Sequence, residues 1–223
     1  MGQFFDSNPA AAGAKRGPWR QGLPRTWKAA LDLDDGDGPD AERPGDAPAG
    51  QRLGPSDGTL SLRTGRHGAA AKAGHDLLIH VTKWEAVLSI PDDGDASLAL
   101  DIDGGSLRVI EGSGGMKALT DSDKADIRTT IDDEILKRQP IVFRSTQAQP
   151  RADGQGLSVE GDLTLLGETR PLAFDVTLTP EGTVTAETVI TQSLWGIEPY
   201  STLFGTLKVN DDIRVAIEAK LPG

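Results

Sequence analysis

Cysteine is absent from this 223-residue chain, and aromatic residues make up only 4% of it. Without a thiol there is no disulfide framework, no cysteine nucleophile and no Cys-ligated metal. The absence leaves the redox compartment open, since a thiol-free chain suits either side of a membrane. Cations are also scarce: 23 Lys plus Arg face 34 Asp plus Glu, a formal net charge of −11. That balance argues against a nucleic-acid surface, which needs clustered cations to displace counterions from phosphates. It likewise gives no reason to expect adsorption to an anionic membrane. No run approaches the ~20 apolar residues of a transmembrane helix. Hydrophobic residues reach only 37%, whereas glycine and proline number 27 and 14. Either the whole chain is loose or one part of it is unstructured.

What is present separates the two. Residues 1–57 hold seven of the 14 prolines and show no apolar periodicity. The stretch from Asp32 to Gln51 is acidic, rich in Pro and Gly, and nearly free of large apolar groups. It cannot bury enough surface to offset its chain entropy and reads as a disordered linker. Ahead of it, Lys15, Arg16, Arg20, Arg25 and Lys28 are interleaved with Trp19 and Trp27, a candidate docking element for a protein partner. No apolar h-region follows Met1, so a signal peptide is not expected and the default location is the cytoplasm.

From residue 58 to 223 the texture changes. Alternating apolar and polar runs recur between turn signals, at Thr59–Thr64, Leu77–Ile90, Ser97–Asp103, Ile141–Gln149, Leu157–Leu166, Arg170–Thr179, Thr183–Gln192 and Ile213–Leu221. Eight strands of period two are predicted. Tight turns such as Pro180-Glu181-Gly182 make the later neighbours antiparallel. One segment, Asp121–Lys137, sets Ile127, Ile131 and Ile135 on a helical stripe, with Thr120 or Ser122 as cap and Pro140 beyond its end. Eight strands and one helix fit either a sandwich or a closed barrel.

Candidate chemistry is sparse. His67, His75 and His80 lie close in sequence, but His75 and His80 are five apart and point to opposite faces of a regular strand. No metal site and no cofactor is expected. A hydrolytic triad lacks its G-x-S-x-G elbow, so no catalytic residue is assigned and the chain is not read as an enzyme. The residues sharing the inner faces are Leu98, Leu100, Ile102, Ile141, Phe143, Leu163, Leu165, Leu172, Phe174, Val176, Leu178, Val215 and Ile217. In a barrel they either fill the core or line a cavity for one small ligand.

Two runs resemble a known family. Gly161-Asp162-Leu163-Thr164-Leu165-Leu166-Gly167-Glu168-Thr169-Arg170-Pro171-Leu172, continuing to Asp175-Val176, is similar to the strand–turn–strand signature of the YceI-like proteins. So is Ser193-Leu194-Trp195-Gly196-Ile197 followed by Val209-Asn210-Asp211-Asp212-Ile213-Arg214-Val215-Ala216-Ile217. The family's central R-D-x-H-L run is missing, and Ser122-Asp123-Lys124-Ala125-Asp126-Ile127 stands near its place. The resemblance implies an eight-stranded, antiparallel, lipocalin-like barrel with one α-helix. Its interior would bind an isoprenoid or other long-chain lipid, a polyprenyl chain or quinone among the candidates, with Trp195 beside the lining or its end. Many relatives are exported. A barrel filled throughout, acting through its N-terminal segment, and an enzyme acting on a bound lipid are the alternatives.

Overall fold

The computed structural model describes residues 50–91 and 95–222. The expected tail, apart from its last eight residues, lies outside them. Fourteen β-segments and one α-helix are present among the described residues. The strands are β1 (Gln51–Leu53), β2 (Gly58–Arg63), β3 (Arg66–His67), β4 (Asp76–Val81), β5 (Trp84–Ser89), β6 (Ser97–Ile102) and β7 (Leu107–Ser113). They continue with β8 (Ile141–Pro150), β9 (Gly156–Leu165), β10 (Glu168–Leu178), β11 (Thr183–Thr191), β12 (Ser201–Thr202), β13 (Leu207–Val209) and β14 (Asp212–Lys220). Helix α1 (Asp121–Thr129) runs on into a π-helical turn, Thr130–Ile135.

Eleven segments form one antiparallel sheet, ordered β1-β5-β6-β8-β9-β10-β11-β14-β2-β4-β7. The two ends of this order are parts of the same chain segments. β4 and β5 are halves of one strand that bends at Thr82-Lys83, and β6 and β7 are halves of its partner, bent at Gly104-Gly105. Hydrogen bonds carry the pairing through the bend: Thr82 N–H donates to Ser106 C=O at 3.0 Å and Asp103 N–H to Lys83 C=O at 3.1 Å. β1 and β2 likewise lie in line along β5 and β4. The sheet therefore returns to its starting strand and closes as a lipocalin-like barrel. The eight expected strands correspond to eight staves of that barrel, several of them broken into two segments.

The expected boundary at residue 58 falls inside the sheet. Gln51–Leu53 pairs with Leu88–Ala86, and Leu53 is buried. Three residues among Gly and Pro carry too little alternation to be read as a strand, and only the edge of β5 makes them one. The hairpin turn after β9 uses Leu166 and Gly167, both left-handed with φ 52° and 81°. This is the two-residue loop whose twist matches the strands it joins.

Ser106 is fully buried at the bend, and all its polar atoms are used. Its N–H donates to Asp103 C=O, its Oγ accepts from Lys83 N–H at 3.2 Å, and its C=O accepts from both Thr82 N–H and the Thr82 hydroxyl. Gly104 sits where a Cβ would meet the Gln139 carbonyl, so the bend also requires glycine there. Replacing Ser106 by Ala removes the hydroxyl partner of the part-buried Lys83 N–H. The expected cost is about 0.5–1.5 kcal/mol, readable as a lower midpoint in urea unfolding with an unchanged slope. An unchanged midpoint would show that the bend does not depend on the hydroxyl.

Candidate functional site: an apolar cavity in half of the barrel

Inward side chains treat the two halves of the barrel differently. In one half Leu53, Leu88, Leu157, Val159, Val176 and Leu178 are all buried in the core. Facing strands place them at the same level, with Val176 opposite Leu157 and Leu178 opposite Val184. The other half encloses a cavity of about 560 Å³. Its wall takes Leu60 and Leu62 from β2, Leu77, Ile79 and Val81 from β4, Leu163 and Leu165 from β9, and Ile213 from β14.

Of the residues that sequence patterning placed inside, Leu100, Ile102, Ile141, Phe143, Leu163, Leu165, Leu172, Phe174, Val215 and Ile217 line this cavity. Leu98, Val176, Leu178 and Trp195 lie outside the wall. Leu98 stands opposite Leu88 and Val176 opposite Leu157, both one pleat further along their strands, within the filled half. Trp195 is buried in a 3-10 turn, Gln192–Trp195, where its indole N–H donates to the Leu163 carbonyl at 3.3 Å.

Two aromatic rings shape the interior. Phe143 and Phe174 meet at 5.2 Å between centroids with planes tilted by 53°, a favourable edge-to-face-like contact. Gly161 makes room for them on the inward face of β9: an added Cβ would come within 2.6 Å of the Phe143 ring.

The helix supplies the rest of the wall. β7 does not pair with β8, and the crossover between them carries α1. Ile127, Ile131 and Ile135, the stripe legible in the sequence, all face the cavity. Both ends of this cover are tied down. At the start, Thr120 and Asp123 form a capping box: Asp123 N–H donates to Thr120 Oγ1 at 3.2 Å, and the Thr120 N–H and hydroxyl donate to Asp123 Oδ2 at 2.8 and 2.7 Å. At the far end the buried Asp132 lies between Arg128 at 3.4 Å and Arg138 at 3.9 Å. The Lys124 ammonium donates to the Ile110 carbonyl on β7 at 2.9 Å, joining cover to barrel.

Polar wall residues gather at the mouth. Arg66 is held by Asp76 at 2.7 Å and donates to the Ala71 and Ser113 carbonyls. His75 pairs through Nε2 with the Lys117 carbonyl at 2.6 Å. Tyr200, Lys208 and Gln192 complete the rim. Patterning of strands did not single out Arg66, His75, Tyr200 or Lys208, which sit in short segments without alternation, and placed Gln192 only at the end of a strand. The histidines have separate settings: His67 faces Asn210 at 2.9 Å, His75 lies at the mouth, and His80 is on the outward face of β4. No group of three or more His, Cys, Asp or Glu side chains converges among the described residues.

A YceI-like domain model matches residues 71–221, so the chain belongs to the YceI-like family. Its architecture is similar to that of BcnA from Burkholderia cenocepacia, at a TM-score of 0.50 and 16% identity over 72% of this chain and 94% of that one. The YceI protein of Campylobacter jejuni aligns at a TM-score of 0.46 and 16% identity, over 65% of this chain and 85% of that one. No curated protein matches the sequence. Among the described residues no helix is long and apolar enough to cross a membrane.

The capping box makes the cover sensitive to acid. Hydrogen bonds from the Thr120 hydroxyl and N–H hold the Asp123 carboxyl below its ordinary value, with His75 and Lys117 adding a smaller pull in the same direction. A carboxylate whose folded value is depressed stabilises the fold above the ordinary carboxylate range and loses that contribution as the pH falls through it. The first turn of α1 is therefore expected to exchange its amide hydrogens faster, relative to the barrel strands, as pH drops below that range. Asp123→Asn should remove this pH dependence. A first turn whose protection ignores pH in the parent chain would contradict the assignment.

Proposed function

We propose that this barrel is a non-enzymatic carrier or store for an isoprenoid or other long-chain lipid, with a polyprenyl chain or a quinone as candidate cargoes. One observation carries the reading: a cavity of about 560 Å³ walled by aliphatic and phenyl side chains, with its polar residues around one mouth. A cavity of this size is in the range of small-molecule sites. Each methylene taken from water into such a wall is worth up to ~0.8 kcal/mol, so a chain needs no special residue to bind. The wall asks only for apolar bulk and flexibility, and its mouth can leave a polar head in water.

The same features speak against the two alternatives. A barrel filled throughout would leave no such space. An enzyme would need acid, base or nucleophile groups converging on the chain; of the titratable wall residues, Arg66 is committed to Asp76, His75 to the Lys117 carbonyl and Glu187 to Arg214, while Asp126 belongs to α1.

The test is substitution of Leu163 by Trp in the intact chain. In a packed core this overpacking costs roughly 1–3 kcal/mol. Into an open cavity the indole fits by taking the ligand's volume. The melting temperature should hold or rise, while uptake of a fluorescent long-chain lipid or a short polyprenol should fall sharply. Mass spectrometry of an organic extract of the unsubstituted protein should find an apolar chain. Strong destabilisation, together with no lipid uptake by the parent, would sink the carrier reading.

A further inference from the structure

The wall of the cavity has a seam that hydrogen bonds do not close, between β10 and β11. We propose that this seam is an expansion joint. It stands open around a cargo with a ring or branches, zips up around a slim unbranched chain, and so lets one cavity hold cargoes of different girth. The inference rests on the carrier reading and narrows it to the width of cargo that the wall accepts.

β10 runs from Glu168 to Leu178 and β11 from Thr183 to Thr191, yet they pair only at Val176–Ala186, Thr177–Thr185 and Leu178–Val184. On their other sides both strands are paired along their lengths, β10 with β9 and β11 with β14. Each lip of the seam is therefore the edge of an intact part of the sheet. The two lips part at Val176–Ala186, on the border of the filled half. Leu178 N–H donates to Gln155 C=O, continuing the β9 ladder, and Gln192 N–H to Asp211 C=O, continuing that of β14. Backbone groups alternate in direction along a strand, so the even-numbered residues of β10 and β11 point theirs at β9 and β14. Those of Ala173 and Val189 point into the seam, where they have no hydrogen-bond partner among the described residues. Continuing the register of Val176 with Ala186 by three residues on each strand sets Ala173 opposite Val189. The unused donors and acceptors are thus already matched.

The seam is a gap in the cavity wall as well as in the ladder. Leu172 and Phe174 on one lip, and Ala186, Thr188 and Ile190 on the other, line the cavity as inward positions should. Glu187 borders it too, although the alternation of β11 turns its side chain outward, to Arg214 at 3.3 Å. A cavity that reaches a residue between two inward ones has come through the sheet. Both ends of the seam are fixed. One end is the paired stretch at Val176–Ala186. At the other, the Trp195 indole ties the turn after β11 to the Leu163 carbonyl of β9, at the level of Arg170 on β10. The lips can spread or meet without coming apart. Pro171 limits how far they zip: it has no N–H to offer, so a full pair ends at Ala173–Val189. Zipping brings the lips to ladder spacing, about 4.8 Å, and narrows the cavity. A ring or methyl branches hold the lips apart by their bulk. A straight chain leaves them free to take up their hydrogen bonds.

The chain has no cysteine, so Ala173→Cys with Val189→Cys in the full-length protein supplies its only pair of thiols. Both positions are exposed and neither lines the cavity. Zipped strands bring such a pair to about 5.5 Å between Cα atoms, within disulfide reach. The probes are palmitic acid, which is slim, and a short-tailed prenyl naphthoquinone, which is wide. The reduced variant is expected to bind both as the parent does. The disulfide form should keep palmitate and bind the naphthoquinone roughly tenfold or more weakly, the scale on which overpacking acts. In the parent, hydrogen exchange at the Ala173 and Val189 amides should slow with palmitate bound and not with the naphthoquinone, a check that needs no substitution. Thiols that stay reduced under oxidant with palmitate bound would overturn the proposal, as would a disulfide form that takes both probes like the parent. So would loss of both probes on oxidation, which would make the seam the entrance. A parent that binds both probes with equal exchange at the two amides refutes the joint and leaves the carrier reading standing. A parent that binds neither refutes the carrier reading, and the joint with it.

Discussion

Closure of the sheet rests on a bend that two paired strands make together. At Thr82-Lys83 and Gly104–Ser106 the long hairpin turns from one end of the sheet to the other, and its hydrogen bonds continue through the corner. Ser106, itself fully buried, gives the Thr82 and Lys83 backbone groups partners at the corner. Without this corner the same strands would form an open sheet with exposed edges, which proteins must otherwise cover or blunt. Once it closes, β1 and β2 have a strand to lie along, β7 is drawn away from β8, and the gap left behind sets the position of α1. The cavity is the space enclosed by that chain of consequences.

A closed barrel of eight staves can be packed solid or left hollow, and this one is divided between the two. The filled half gathers Leu, Val and Ile from every side, and its close packing supplies cohesion. The hollow half forgoes part of that: side chains facing empty space have no partner for their dispersion contacts. A bound hydrophobic ligand would restore those contacts and would stabilise the fold through the same wall.

Much of this was legible locally. The alternation in β9 and β10 and the Ile127-Ile131-Ile135 stripe are properties of short stretches, and they sorted inward from outward faces. The division into filled and hollow halves is different. Leu172, Phe174, Val176 and Leu178 alternate without interruption from cavity to core, and only the residues brought opposite them decide which side of the boundary each occupies. The same holds for Gln51–Leu53, a strand only because β5 offers an edge, and for Trp195, whose place depends on the Leu163 carbonyl. The rim was the least legible part. Arg66, His75, Lys117 and Lys208 come from three separated segments with no common period, and contact between those segments is the signal.

One half of the barrel being solid has a kinetic consequence. A tube open at both ends lets an arriving molecule push the resident one out ahead of it, so exchange quickens with supply. A cup with a single mouth does not. The occupant must leave before another can be admitted, and the rate of exchange at high supply becomes a property of the occupant alone. Longer chains, touching more of the wall, would be retained longer in a graded way, and a mixture of cargoes would sort itself over time by residence and not by abundance.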